Sequence, residues 1–159
     1  MKSLTIIPYE DKYHKDLKKI SLDWLNHYDL YEEIDGVMLE NPRKYILDNG
    51  GCILMANYDN KIVGTITLNK VNKNVFELMK LGVVKEYQGL GIGKELVSFC
   101  INYCKDRGIE KITVETNTKL DKAMKLYKKF DFLEVPLDNM NFDLSNFKME
   151  LILRKNKRI

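Results

Sequence analysis

Residues 75–94 read VFELMKLGVVKEYQGLGIGK, an apolar run followed by a turn with glycine at every second position. The run from Val75 to Val84 is typical of a strand, and the residues after Gly91 are typical of a helix that ends at Gly108. Backbone N–H groups at a helix N-terminus lack partners within the helix, and the helix dipole adds about half a positive charge. Residues 88–94 are therefore a candidate anion site, where glycine would let a phosphate approach the backbone.

Two common phosphate-binding motifs do not fit this turn. The dinucleotide fingerprint G-x-G-x-x-G would need glycine at Lys94 or at Leu96. The Walker loop would need glycine at Gln88. The turn instead matches Gln/Arg-x-x-Gly-x-Gly/Ala, through Gln88, Gly91 and Gly93.

Outward from the turn, apolar periodicity predicts an alternation of strands and helices. The predicted strands are residues 4–7, 52–58, 62–68, 75–84, 111–115, 132–135 and 147–153. The predicted helices are residues 11–28, a short one from Asn41 to Gly50, 91–107 and 120–127. The acidic residues 29–39 are expected to be irregular. The order β-α-α-β-β-β-α-β-α-β-β predicts an α/β (α+β) fold, a mixed sheet with helices on both faces, in one domain over residues 1–159.

Composition and charge narrow the class of protein. The 159 residues are 45% hydrophobic and carry a net charge of +3, which suits one folded domain. We expect the basic tail, residues 154–158, to be solvated rather than to bind nucleic acid. Cys100 and Cys104 lack further ligands at zinc spacing, so we expect small buried hydrophobes and no metal. With neither a signal peptide nor an apolar run long enough to cross a bilayer, we expect a cytoplasmic protein without a membrane partner.

The turn and a second motif together resemble the GNAT superfamily of acetyl-CoA-dependent N-acetyltransferases. The run AMKLYKKFDF, residues 123–132, is similar to the superfamily signature Ala-x-x-Leu-Tyr-x-x-x-Gly-Phe. Asp131 replaces the usual glycine, and aspartate also tolerates a left-handed backbone, so we expect the turn to persist. The resemblance implies a single-domain GNAT-like fold, with a central mixed twisted sheet of about seven strands flanked by helices.

The resemblance also implies acetyl-CoA as the cosubstrate. The strand before the turn is similar to the one that pairs with pantetheine in the superfamily. Leu120 stands where many members carry an asparagine near the cofactor, which leaves open whether Asn117 substitutes. The cofactor-binding residues that the resemblance implies are Leu81, Gly82, Val83, Gln88, Gly89, Leu90, Gly91, Ile92, Gly93, Lys94, Asn117 and Tyr127.

Direct transfer of an acetyl group needs a neutral amine and a stabilised leaving thiolate, and it needs no covalent enzyme intermediate. Tyr127, the tyrosine of the second motif, is the candidate acid. Its alternative role is a core tyrosine, on one helical stripe with Leu120, Ala123 and Met124.

Glu77 is the candidate base. It precedes Gln88 by eleven residues, the position at which the histone-acetylating branch of the superfamily carries its catalytic glutamate. Strand alternation predicts that it shares a face with Val75, Met79 and Leu81, an apolar setting that would raise its pKa. The alternatives are a solvent-facing glutamate at a sheet edge, Glu115 as the base, and ordered water.

The acceptor is the least specified part of the sequence. The resemblance implies that residues 24–40 and 136–148 hold it. We expect a small-molecule primary amine, and a homodimer is left open. A protein or peptide N-acetyltransferase and a non-catalytic acyl-CoA-binding module are the alternatives. The following acidic residues would favour a cationic amine unless they form a solvated face: Glu32, Glu33, Asp35 and Glu40.

Overall fold

A computed structural model describes residues 3–153, so the basic tail lies outside the described residues. The strands are β1 Leu4–Pro8, β2 Cys52–Tyr58, β3 Lys61–Asn72, β4 Val75–Val83, β5 Lys111–Thr116, β6 Leu133–Val135 and β7 Phe147–Ile152. The helices are α1 His14–His27, α2 Glu33–Glu40, α3 Ile92–Asp106 and α4 Asp121–Lys129. Single 3₁₀ turns cover Asp11–Tyr13 and Lys85–Tyr87, and a π-helical turn covers Arg43–Leu47.

The strands form one mixed sheet in the order β1-β2-β3-β4-β5-β7-β6. Strands β4 and β5 pair in parallel across the α3 crossover, and the other neighbouring strands pair antiparallel. The prediction of seven strands in a mixed sheet flanked by helices is confirmed. No helix among residues 3–153 combines the length and apolar character needed to span a membrane.

Each face of the sheet is covered by a different pair of helices. Helices α3 and α4 pack on one face, and α1 and α2 pack on the other. Cys100 and Cys104 lie fully buried in the α3 stripe, as predicted for small hydrophobes. Burial raises the pKa of both thiols, which keeps them protonated at neutral pH.

The prediction of an irregular segment over residues 29–39 is wrong, because α2 occupies its second half. Glu32 and Asp35 form a capping box at the start of this helix, in which the Asp35 carboxylate accepts the Glu32 N–H at 2.9 Å. The predicted helix from Asn41 to Gly50 is reduced to the π-helical turn. In the sequence, the start of α2 was indicated by Glu32 and Asp35, two acidic residues spaced three apart.

A β-bulge in β4 shapes the centre of the sheet. Thr67 pairs with Met79 and Thr65 pairs with Gly82, so β4 has one more residue than β3 over this interval. Lys80 lies in this bulge and has a left-handed φ of 55°, which is uncommon for a residue other than glycine. Beyond the bulge Leu81 packs on the α3 side, so the prediction that it shares a face with Glu77 is wrong.

Strands β4 and β5 diverge just before this bulge. Their pairing ends at Glu77 and Thr113, although β4 continues to Val83 and β5 continues to Thr116. Among residues 3–153, the end of β4 therefore keeps β3 as its only strand neighbour, and a gap opens in the sheet. The predicted left-handed turn after α4 is also present, since Asp131 has φ 72°.

Candidate active site

A cavity of about 330 Å³ lies beside the open edge of β4, and we call it the wide cavity. It is bounded by the end of β4, the turn of residues 88–93, the start of α4 and the end of α1. Its lining includes Trp24 in α1, Tyr28 directly after α1 and Leu120 directly before α4. This volume is within the size range of ligand sites.

The turn before α3 presents unpaired backbone donors to the wide cavity. The N–H groups of residues 89–94 donate no hydrogen bond within the described chain. Gly89 and Gly91 have φ values of 81° and 83°, and a Cβ at either would meet no atom within 4 Å. The Gln88 side chain donates to the Val83 carbonyl at 3.0 Å, which ties the turn to β4. The arrangement is a backbone cradle suited to an anion such as a phosphate.

Most residues predicted to bind the cofactor line this cavity. They are Leu81, Val83, Gln88, Gly89, Gly91, Ile92 and Gly93. Gly82 faces α1 instead, where a Cβ would lie 3.3 Å from Ile20. Leu90 is 54% exposed at the tip of the turn. Leu90 and Lys94 are absent from the lining.

A second cavity of about 60 Å³ lies between α2, β5 and the loop of residues 136–146, and we call it the small cavity. Trp24 and Leu120 line both cavities, so the two adjoin. Asn117 lines the small cavity and does not line the wide one. Its side chain is occupied by the Leu144 carbonyl at 2.8 Å and the Lys119 N–H at 2.9 Å. Contact between Asn117 and a cofactor stays a prediction.

Two glutamates hold the loop of residues 136–146 over the small cavity. Glu115 accepts the N–H groups of Asn141 and Phe142 at 2.7 and 2.9 Å. Glu32 accepts the next two N–H groups along the loop, at 3.0 and 2.9 Å. Hydrogen bonds to a charged acceptor are stronger than neutral ones. The loop is therefore attached both to the sheet and to α2.

A buried ion pair forms part of the same wall. The Lys80 ammonium donates to Asp35, and both side chains are almost fully buried. Lys80 also lies 4.9 Å from the centre of the Phe142 ring. Asp35 and Glu32 thus bind other groups of the protein, the Lys80 ammonium and the loop backbone respectively. Glu40 pairs with Lys18 at the surface. Of the predicted acidic stretch, Glu33 is left as an exposed carboxylate.

Glu77 lies beneath the loop and is 2% exposed. One carboxylate oxygen accepts the Asn141 side-chain amide at 2.9 Å, and the other has no partner among the described residues. Burial, and secondly the negative charge of Glu115, raise the pKa of Glu77 to about 7. The solvent-facing alternative is excluded by this burial. Glu77 lines neither cavity, and its role as the base stays a prediction.

Tyr127 lies in the core beneath α4 and is 4% exposed. Its ring centre is 5.5 Å from that of Phe132, and it lines neither cavity. Burial raises the pKa of the phenol, so it is protonated at any working pH. Its roles as the acid and as a cofactor contact stay predictions.

The matching family model is that of the acetyltransferase (GNAT) family, over residues 15–132. The chain belongs to this family. Among solved structures, a GNAT-family acetyltransferase from Staphylococcus aureus Mu50 is 29% identical, with a TM-score of 0.86 over 96% of this chain and 100% of that one.

Curated GNAT relatives are similar over part or most of this chain. A probable N-acetyltransferase camello from Xenopus tropicalis is 28% identical over 66% of this chain and 52% of its own length. N-alpha-acetyltransferase 30 from Schizosaccharomyces pombe is 27% identical over 81% of this chain and 83% of its own. The chain thus spans about half the length of the camello relative.

Sequence reasoning did not find several side chains of this GNAT site. Lys80 lines the small cavity and lies outside every motif and every range predicted to hold the acceptor. Trp24 and Phe142 also line it and lie within the ranges 24–40 and 136–148, but the sequence did not single them out. No local sequence pattern predicted the position of Lys80, because that position depends on the β-bulge formed where β4 pairs with β3.

Proposed function

We propose that this protein transfers the acetyl group of acetyl-CoA to the primary amine of a small molecule in the cytoplasm. The observation that carries the proposal is the junction of two cavities at Trp24 and Leu120. One cavity has a backbone cradle for an anion, and the other is lined by apolar side chains together with charged ones such as Glu32, Lys80 and Glu115. The cytoplasmic location rests on the sequence alone.

The wide cavity fits the donor. The free N–H groups of residues 89–94 would hold the pyrophosphate of acetyl-CoA. The open edge of β4 at Leu81–Val83 would pair with the pantetheine amides, as an added strand does. When bound, acetyl-CoA supplies an activated acetyl thioester to the junction of the cavities.

Glu77 is the group that we propose to take the proton of the amine. An amine attacks a carbonyl only when it is neutral, and a base with a pKa near 7 is matched to this task at neutral pH. Glu115 is the weaker candidate because both of its oxygens already accept backbone N–H groups. Ordered water is the remaining alternative. Tyr127 is proposed as the acid for the leaving thiolate, on the motif alone.

The small cavity supports a small acceptor. Its volume is about 60 Å³, and Glu32 joins its two rims by binding the loop. A peptide would need this loop to move away from α2. The name of the fission yeast relative is the observation that favours the other class, because an N-alpha-acetyltransferase acts on N-termini.

A screen for thiol release tests the proposal. The purified protein is incubated with acetyl-CoA and single amines: polyamines, amino acid amides, aminosugars and short peptides with free N-termini. We expect free CoA and an acetylated product, confirmed by mass, with at least one small amine and not with peptides. Acetylation of peptides alone would establish the second class. Acetyl-CoA binding by calorimetry with no thiol from any amine would make the chain a non-catalytic binding module.

A further inference from the structure

Two buried oxygen acceptors face each other across strands β3 and β4. Asn69 pairs with Glu77 in the antiparallel register. Residues directly opposite in such a pair project on the same face, with Cβ atoms about 4.5–5.5 Å apart. Glu77 Oε2 and Asn69 Oδ1 are both buried, and neither has a hydrogen-bond partner among residues 3–153.

Two acceptors in this position need a hydrogen atom to share. Buried polar atoms without partners are uncommon and costly in folded proteins. The other carboxylate oxygen of Glu77 is already held by the Asn141 side chain. A proton on Oε2 would turn this oxygen into a donor and satisfy both orphaned atoms with one hydrogen bond.

The charges that surround Glu77 decide between a proton on Glu77 and a rotated Asn69 amide. The negative charge of Glu115 on β5 disfavours a second negative charge on Glu77. The positive charges of Lys80 on β4 and Lys148 on β7 favour that charge, but by less than Glu115 disfavours it. Burial to 2% exposure is the largest influence on the Glu77 pKa, and together with Glu115 it outweighs the Asn141 hydrogen bond and the two lysines. Below about pH 7 the neutral carboxyl is therefore the dominant form, and a neutral carboxyl donates from its hydroxyl.

We propose that Asn69 is the positioning residue of Glu77, and that its Oδ1 accepts the hydrogen bond of the protonated Glu77 carboxyl. The role in catalysis rests on the proposed function. As the amine loses its proton, the N–H bond breaks and an O–H bond forms at Glu77 Oε2. Asn69 then stabilises the protonated product of this step, while Asn141 holds the second oxygen.

Infrared difference spectroscopy tests this hydrogen bond on the whole protein, with neither acetyl-CoA nor an amine present. Spectra at pH 5 and pH 9 give the C=O stretch of protonated carboxyls, and Glu77→Gln identifies the band of Glu77. In Asn69→Leu, which has the same branched shape and no acceptor, we expect this band to move to higher wavenumber. Asn69→Ala is the second variant if the larger side chain perturbs folding, with the same expected direction.

Thr67→Val is the matched control, since Thr67 lies on the same face of β3 one pair away and opposite Met79. We expect it to leave the Glu77 band unchanged. An unchanged band in both Asn69 variants would overturn the proposal, and so would a wild-type Glu77 that is ionised at pH 5. Either result leaves acetyl transfer intact, whereas a negative amine screen leaves this hydrogen bond intact.

Discussion

The two cavities differ in whether backbone groups or side chains supply their candidate binding groups. The wide cavity has apolar side chains such as Trp24 and Leu126 in its lining, but its candidate binding groups belong to the backbone: free N–H groups at residues 89–94 and an open strand edge. The wall of the small cavity is made of side chains from distant segments, such as Glu32, Lys80 and Glu115. The difference suggests that the donor site tolerates side-chain changes around a fixed backbone. The acceptor site depends on individual side chains.

The largest effect should come from Glu77, which contacts Asn141 of the loop of residues 136–146. We expect Glu77→Gln to reduce turnover by about 10²–10⁴-fold, because a general base contributes this much. Acetyl-CoA affinity should stay unchanged, since Glu77 lines neither cavity. The wild-type rate should rise with pH to a plateau above about 7, where the carboxylate is free to accept a proton. In Glu77→Gln this limb should be flat.

The raised pKa of Glu77 also determines in which direction folding stability changes with pH. Because folded Glu77 has a pKa of about 7 and an ordinary glutamate has a pKa of 4.5, the folded state binds more protons than the unfolded one between these values. Folding stability should therefore fall as the pH rises through this window. Urea unfolding of Glu77→Gln should show a weaker fall. Equal slopes in the two proteins would contradict the raised pKa.

Tyr127 belongs to neither cavity and tests whether a third region takes part. Tyr127→Phe keeps the ring against Phe132. If the tyrosine is the acid, turnover should fall by about 10²–10⁴-fold with little change in the Michaelis constants. A core tyrosine would instead cost at most one hydrogen bond, about 1 kcal/mol of unfolding free energy. Wild-type turnover in the variant would refute the acid role.

Asp35 tests how strongly the small cavity depends on one side chain. Asp35→Asn leaves the Lys80 charge buried without its partner. We expect a loss of about 3–5 kcal/mol in the free energy of unfolding, measured with urea. The surface pair of Glu40 and Lys18 is the control, and Glu40→Gln should unfold like the wild type. Equal behaviour of the two variants would mean that the ion pair does not stabilise the wall.

The cradle should respond to backbone changes alone. Gly91→Val places a β-branched residue at a φ of 83°, which strains the turn even though its Cβ meets no other atom. We expect acetyl-CoA affinity to fall by more than tenfold, about 1.4 kcal/mol. Leu90→Ala keeps the backbone and should bind as the wild type does. Calorimetry with equal affinities for both variants would remove the cradle from the donor site.

The smallest expected effect concerns the hold of Glu32 on the loop. Glu32→Gln replaces one acceptor oxygen by a donor and loses one of the two bonds to the loop backbone. We expect a cost of about 1 kcal/mol and faster hydrogen exchange at Asp143 and Leu144. Glu33→Gln, at the exposed neighbour, should leave this exchange unaltered. Equal exchange in both variants would mean that the loop is held by other contacts.

The same contrast explains what could be predicted from the sequence. The turn at residues 88–94 and the motif at 123–132 are local, so adjacent residues determine their geometry. The α2 start was also local, but its Glu32–Asp35 capping box was interpreted only as charge. Lys80 was not predictable, because its φ of 55° results from pairing between β3 and β4. Glu32 meets a loop that lies 111 residues further along the chain.

The divergence of β4 from β5 leaves an edge inside the sheet as well as at its borders. Among residues 3–153 no strand pairs with this edge, although the Gln88 side chain donates to the Val83 carbonyl, so an occupant would complete the sheet as a missing strand would. Ligand binding then contributes directly to folding free energy. At a ligand concentration one hundred times its dissociation constant, the gain is about 2.7 kcal/mol. The melting temperature of this protein should therefore report how much donor is present.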